Sequence, residues 1–238
     1  TAPLEAGQGR GQPVPPAGSS TTFTERTPAM DTEQPSRHSV WLWDEQGSGA
    51  VGDAFRPWMD PYPAPTRRPC GAVLVCPGGG YGGRAYHEGV LVAQRFNQAG
   101  FHAFVVHYSV APRRHPLPLR DASRAMRLIR QNAARWRVSP DHVAVCGFSA
   151  GGHLAGSLGT HFGRPYLQDP TGAGAFPNRP DALILCYPVI SCGPHGHQGS
   201  FANLLGTDAS GEARHDLSLE HQVTAGTPPA FLWHTAAD

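Results

Sequence analysis

Lysine is missing from this chain: all nineteen residues counted as Lys plus Arg are arginine. That excludes a Ser-Lys dyad, a lysine Schiff base and a Walker-type phosphate loop, and leaves serine activated by histidine as the main covalent mechanism. A strong charge of either sign is missing too. The formal net charge of +1 gives no electrostatic footprint for nucleic acid or an anionic membrane, so neither partner is expected. Apolar runs stay short of the roughly 18 residues of a membrane span, and a soluble protein is expected. Cysteine is sparse: five residues, an odd number without CxxC spacing, indicate neither a disulfide framework nor a zinc site. Cys76, Cys146 and Cys186 each close an apolar run and read as buried core thiols rather than a three-cysteine metal site. Cys70 and Cys192 fall in predicted loops, and the sequence does not say whether they pair. No charged-then-apolar leader is visible at the N-terminus, which leaves the compartment open, secreted or periplasmic included.

What is present alternates. Residues 1–38, rich in Pro, Gly, Ser, Thr and Gln, bury too little apolar surface to offset their ordering entropy and read as a disordered tail or linker. Residues 39–238 read as one domain, opening on Val40, Trp41, Leu42 and Trp43 with short or irregular edge strands up to Pro69. From Gly71, apolar runs at 72–76, 103–108, 143–146, 182–187 and 230–234 predict parallel strands covered on both faces. Helices are predicted at 88–99, 119–136 and 150–162. The middle one carries Ala122, Ala125, Met126, Ile129, Ala133 and Trp136 on one face and arginines opposite. This order predicts an α/β fold, a three-layer α/β/α sandwich around a mostly parallel central sheet.

Three segments follow predicted strand ends, where ligands bind in such sheets. Ser149 lies in GFSAG (Gly147 to Gly151) between an apolar strand and a helix, the setting of a nucleophile elbow. CPGGGYGG, Cys76 to Gly83, places consecutive glycines after a strand, where backbone N–H groups can turn toward an oxyanion. The competing reading of Gly78, Gly80 and Gly83 as a dinucleotide fingerprint also requires a carboxylate at the end of the next strand, and AFVVHYSV supplies none. FLWHTAAD, Phe231 to Asp238, ends a strand with an aspartate, the position of a triad acid that orients and stabilises an imidazole. All thirteen histidines precede Asp238, so the usual order of serine, acid, histidine is not completed within the chain.

Other polar residues have plainer readings. Tyr81, and His87 and Glu88 just after the glycine loop, are candidates to line the pocket or touch substrate, with a simple helix start as the alternative for His87 and Glu88. His153, one turn into the elbow helix, reads as a packing or hydrogen-bonding residue. His234 is too close in sequence to Asp238 to serve as the general base. Asp121 reads as a structural residue at the start of a long helix. His195 and His197, in the Gly- and Pro-rich run CGPHGHQG, lack a third ligand nearby and read as exposed.

In this order, CPGGGYGG, YSVAP (Tyr108 to Pro112), HPLPLRDASRAMRLIRQ (His115 to Gln131), GFSAGGHLAG (Gly147 to Gly156), YPVIS (Tyr187 to Ser191), NLLG (Asn203 to Gly206) and TPPAFLWHTAAD resemble the bacterial α/β-hydrolases known as acetyl esterases or acetylxylan esterases. These are relatives of the hormone-sensitive-lipase-like carboxylesterases. The likeness runs from about Val40 to Asp238, with Pro77 where such loops usually carry histidine. It implies Ser149 as nucleophile, Asp238 as acid, and the N–H groups of Gly79, Gly80 and Ala150 as the oxyanion hole. It also implies a histidine some tens of residues past Asp238, after one more helix and strand, so the chain is expected to lack that last helix, strand and histidine loop and to be unstable on its own. The expected function is a serine carboxylic-ester hydrolase that removes short acyl groups, acetylated sugars or xylan being the substrate class implied. Water is then the sole cosubstrate, with no cofactor and no metal. An arylformamidase or serine peptidase shares the machinery, and an inactive α/β-hydrolase-fold binding module is the reading from outside enzymes.

Overall fold

The protein is described by a computed structural model covering residues 34–44 and 55–236. The expected tail at 1–38 therefore lies mostly outside the described residues, as does Asp238. Seven strands form one sheet: β1 (Val40–Trp41), β2 (Trp58–Tyr62), β3 (Cys70–Cys76), β4 (His102–His107), β5 (Val138–Phe148), β6 (Ala182–Cys186) and β7 (Ala230–Trp233). Their spatial order is β1-β2-β4-β3-β5-β6-β7. The β1–β2 and β2–β4 pairs are antiparallel and all the others parallel. Pro61 sits within β2, so the Pro-rich stretch supplies short strands at the antiparallel edge, as its composition predicts.

The continuous apolar runs of β3 and β4 exist because both faces of the sheet are buried there, whereas β7, expected to be covered on both faces, is exposed along its length. Along β3, Ala72, Leu74 and Cys76 join the larger core, while Val73 and Val75 join the smaller core on the opposite face. In β4, Phe104 and Val106 face the first core, and Ala103 and Val105 the second. Helix α1 (Val90–Gln98) contributes Ala93 to the smaller core. Helices α2 (Leu117–Gln131), α3 (Ala133–Trp136) and α4 (Ser149–His161) pack on the other side through residues such as Met126, Ile129, Leu154 and Leu158. Burying each of these larger aliphatic side chains contributes about 1.5–3 kcal/mol. Two further helices, α5 (Gln198–Leu205) and α6 (Gly211–Asp216), lie between β6 and β7. Neither is predicted by the sequence, whose Gly- and Pro-rich run before Ser200 masks a short apolar stripe.

Topology fixes the site. From β3 the chain crosses through α1 to β4 on one side, whereas from β5 it crosses through α4 to β6 on the other. Since β3 and β5 are neighbours, the loops leaving their carboxyl ends diverge and open a crevice, the switch point at which such sheets bind ligands. The glycine-rich segment follows β3, and Ser149 follows β5.

Three further expectations change in detail. Cys186, the last residue of β6, is half-buried rather than a core thiol. Cys70 is the first residue of β3 rather than part of a loop, and all five cysteines are free thiols. Asp121 is structural but does not start its helix, because α2 begins four residues earlier with a proline in its first turn. Its buried carboxylate instead accepts hydrogen bonds from Trp43 Nε1 at 2.7 Å and from the Ser109 backbone N–H at 2.8 Å. It thereby ties the N-terminal edge and the segment after β4 to the helix.

Burial pushes the Asp121 carboxyl up to about 6, against the two donors that lower it. A carboxyl whose folded pKa exceeds its unfolded value favours the fold most at low pH and loses that contribution as pH rises from about 4 to about 6. The stability gap between wild type and Asp121→Asn is therefore expected to widen as pH falls from 6 to 4 in denaturant titrations. A gap that narrows over that range would show the carboxyl to be ionised throughout.

Candidate active site

Ser149 is the first residue of α4 and has φ +51°, a left-handed conformation that disfavours any residue with a β-carbon. A non-glycine residue is held there when its surroundings over-determine it, and here close backbone approach does so. A Cβ on Gly147 would lie 2.1 Å from the Gly151 carbonyl oxygen, and one on Gly151 would lie 2.2 Å from that of Cys76. The two glycines flanking the serine therefore let the ends of β3 and β5 meet the first turn of α4. Val189 N–H bonds the Ser149 carbonyl at 3.0 Å, fastening the segment after β6 to the same turn. The side chain is half-buried and lines a cleft of about 440 Å³ with Tyr187, Ile190, His195, His197 and Leu232.

The glycine loop is fastened almost entirely through its carbonyls. Tyr108 Oη donates to Pro77 O at 2.6 Å, and Ala85 N–H to Gly78 O at 2.9 Å. Gly82 and Gly83 N–H both donate to Gly79 O. Asn203 Nδ2, from α5, donates to Gly80 O at 2.8 Å, and Ala111 N–H to Tyr81 O at 2.7 Å. Gly79 and Gly80 take positive φ, +124° and +62°, and among the described residues their N–H groups have no protein acceptor. Ala150 lies in the first turn of α4, whose amides have no intrahelical acceptor and carry the positive end of the helix dipole. Carbonyls engaged and amides free is the arrangement that stabilises a developing oxyanion.

The remaining expected site residues separate. Tyr81 does not reach substrate as expected: its positive φ turns the ring inward, where it is 2% exposed and its hydroxyl bonds His153 Nδ1 at 2.9 Å. His153 is fully buried, with Nε2 on the Leu217 carbonyl, and desolvation pushes its pKa down to about 4. It is the packing and hydrogen-bonding residue the sequence suggests. His87 is largely exposed and is not among the residues that line the cleft. His195 and His197 are exposed, but they line the same cleft as Ser149, and His197 Nδ1 also caps α5 by accepting from Ser200 N–H. His234, just past β7, lines the same cleft. Asp238 lies outside the described residues.

Two contributors do more than the sequence suggests: Glu88, read there as a pocket or helix-start residue, has its carboxylate buried behind the loop, and Asn203 of α5 is marked only by its place in NLLG. A larger cleft of about 690 Å³, beside Arg164, Asp216 and His221, contains no residue of the three segments expected to form the site. Among the described residues no three His, Cys, Asp or Glu side chains converge to hold a metal ion.

The BD-FAE family profile matches residues 59–238. The chain belongs to the BD-FAE family. Its fold is that of the α/β-hydrolases. A solved structure, the acetyl ester-xyloside bifunctional hydrolase from Caldicellulosiruptor lactoaceticus, aligns with a TM-score of 0.80 and 39% identity over 84% of this chain and 75% of that one. Among curated proteins, the chain is 42% identical over 177 residues to endo-1,4-beta-xylanase B of Butyrivibrio fibrisolvens, covering 73% of this chain and 27% of that protein. It is 32% identical over 166 residues to the acetylxylan esterase of Xylanibacter ruminicola, covering 68% of this chain and 32% of that protein. The chain thus spans about a third or less of the length of these two curated relatives.

The backbone contacts make a specific demand on the elbow. Gly147→Ala and Gly151→Ala each drive a methyl into a carbonyl and are expected to cost more than about 3 kcal/mol. Gly83→Ala, where a Cβ meets nothing within 4 Å, is expected to cost under about 1 kcal/mol. Urea unfolding of the three variants checks the contrast, and equal losses would contradict it.

Proposed function

We propose that the protein is a serine carboxylic-ester hydrolase that removes short acyl groups, acetyl above all, from acetylated sugars or xylan. The observation that carries the proposal is a half-exposed serine at φ +51° beside a loop whose carbonyls are engaged and whose Gly79 and Gly80 amides are free. The names of the relatives, acetylxylan esterase and acetyl ester-xyloside hydrolase, support the substrate class.

In this mechanism Ser149 Oγ attacks the ester carbonyl carbon, and a histidine held by Asp238 takes the hydroxyl proton. The carbonyl oxygen gains the negative charge in the tetrahedral intermediate and is met by the N–H groups of Gly79, Gly80 and Ala150. Collapse of the intermediate expels the alcohol, which receives the proton, and leaves an acyl-serine. Water, deprotonated by the same histidine, releases the acid and restores Oγ–H. The lining of the cleft supports a neutral substrate: among the described residues it includes no Asp, Glu, Lys or Arg.

Mass spectrometry after treatment with a fluorophosphonate is expected to find the label on Ser149, and Ser149→Ala is expected to lower kcat for 4-nitrophenyl acetate by at least about 10⁴-fold. Label at another residue, or an active alanine variant, would reject the mechanism. Faster turnover of a dipeptide or formanilide than of acetylated xylose would instead reject the substrate class.

A further inference from the structure

Glu88 ends the short 3-10 turn Tyr86–Glu88 that leads into α1. Its side chain is 11% exposed, and the basic side-chain atom found within 4 Å among the described residues is Nε2 of the largely exposed His87, at 3.9 Å. A carboxylate taken out of water without a close cation carries a desolvation cost that hydrogen bonds must offset. Both of its oxygens are engaged, and in two directions. Oε2 accepts the Gly78 backbone N–H at 2.7 Å, at the start of the glycine loop. Oε1 accepts the Tyr187 hydroxyl at 3.0 Å, at the end of β6. Neither bond serves the N-terminus of α1, so a helix-dipole role does not account for this placement.

The two partners flank the serine. A Cβ on Gly78 would lie 2.6 Å from Glu88 Oε2, 2.8 Å from Phe148 O and 3.1 Å from Ser149 Cβ, so the carboxylate, the loop and the elbow are packed together. Tyr187 lines the same cleft as Ser149, holds a positive φ of +36°, and its ring packs against Phe148 and Trp233. One side chain thus ties the segments after β3 and β6, between which β5 delivers Ser149. It also occupies the Gly78 amide, the neighbour of the two amides left free.

We infer that Glu88 is a positioning residue for ester hydrolysis: by gripping the Gly78 N–H and the Tyr187 hydroxyl, it sets the pitch of the Gly79 and Gly80 amides toward the reacting carbonyl oxygen. This rests on the reading of Ser149 as nucleophile. Loss of the grip leaves the substrate cleft in place but detunes the donors, so it acts on the transition state rather than on ground-state binding. Gln at position 88 keeps an acceptor for Gly78 and a polar partner for Tyr187. Tyr187→Phe releases one of the two ties while keeping the ring.

The experiment measures kcat and KM for 4-nitrophenyl acetate, and the rate of fluorophosphonate labelling at Ser149, in the full-length protein and in E88A, E88Q and Y187F. E88A is expected to lose about 100-fold in kcat with KM within about threefold, and to slow labelling in parallel. E88Q is expected to recover at least about tenfold of that loss, and Y187F to fall between E88A and wild type. If E88A fails to fold, the order of wild type, E88Q and Y187F decides: the inference requires both variants to lose kcat at unchanged KM. A labelled, active wild type matched in kcat by these variants would overturn the inference alone, as would losses confined to KM. A wild-type protein that resists the phosphonate would overturn the reading of Ser149 and this inference with it.

Discussion

The first turn of α4 lies against the ends of β3 and β5 more closely than any side chain would permit, and the candidate site depends on that contact. Where Gly147 and Gly151 lack a β-carbon, backbone carbonyls occupy the space. The tightness has two consequences. It holds Ser149 in a left-handed conformation that a free chain would avoid, and it brings the glycine loop leaving β3 beside the serine leaving β5. Sheet order does the rest, because the neighbouring strands β3 and β5 send their connections to opposite sides.

The loop itself is rigid for a reason that its composition conceals. Consecutive glycines suggest freedom, yet five successive carbonyls, from Pro77 to Tyr81, are bound by donors from Tyr108, Ala85, Gly82, Gly83, Asn203 and Ala111. Glycine is needed at 79 and 80 for their positive φ, and the fixed carbonyls then determine where the amides can lie. Preorganised dipoles of this kind require little rearrangement when charge develops.

Much of this was legible in the residues, and what was not shares one cause. The inner strands β3 and β4 showed because burial on both faces makes their sequence continuously apolar, although β7 is as apolar and yet exposed. GFSAG showed because a serine between close-packed glycines, after a strand and before a helix, has few other uses. Tyr81 misled, since a tyrosine among glycines looks exposed, whereas its backbone turns it onto His153. Asp121 was legible as structural, but its partners Trp43 and Ser109 come from separate segments. The partners of Glu88 and Asn203 were hidden for the same reason: these contacts exist only after the ends of β3 and β6, and α5, are brought together. Local pattern reveals what a residue does to its own element. It does not reveal a hydrogen bond to a residue 99 or 123 positions away.

The central claim is that the hydroxyl of Ser149 and the free amides of Gly79 and Gly80 address one reacting centre. A crystal structure of the phosphonylated protein tests it most directly. The account predicts phosphorus on Ser149 Oγ and a phosphoryl oxygen about 2.7–3.1 Å from the nitrogens of Gly79 and Gly80. A phosphoryl oxygen directed away from that loop, with both amides facing solvent, would contradict it.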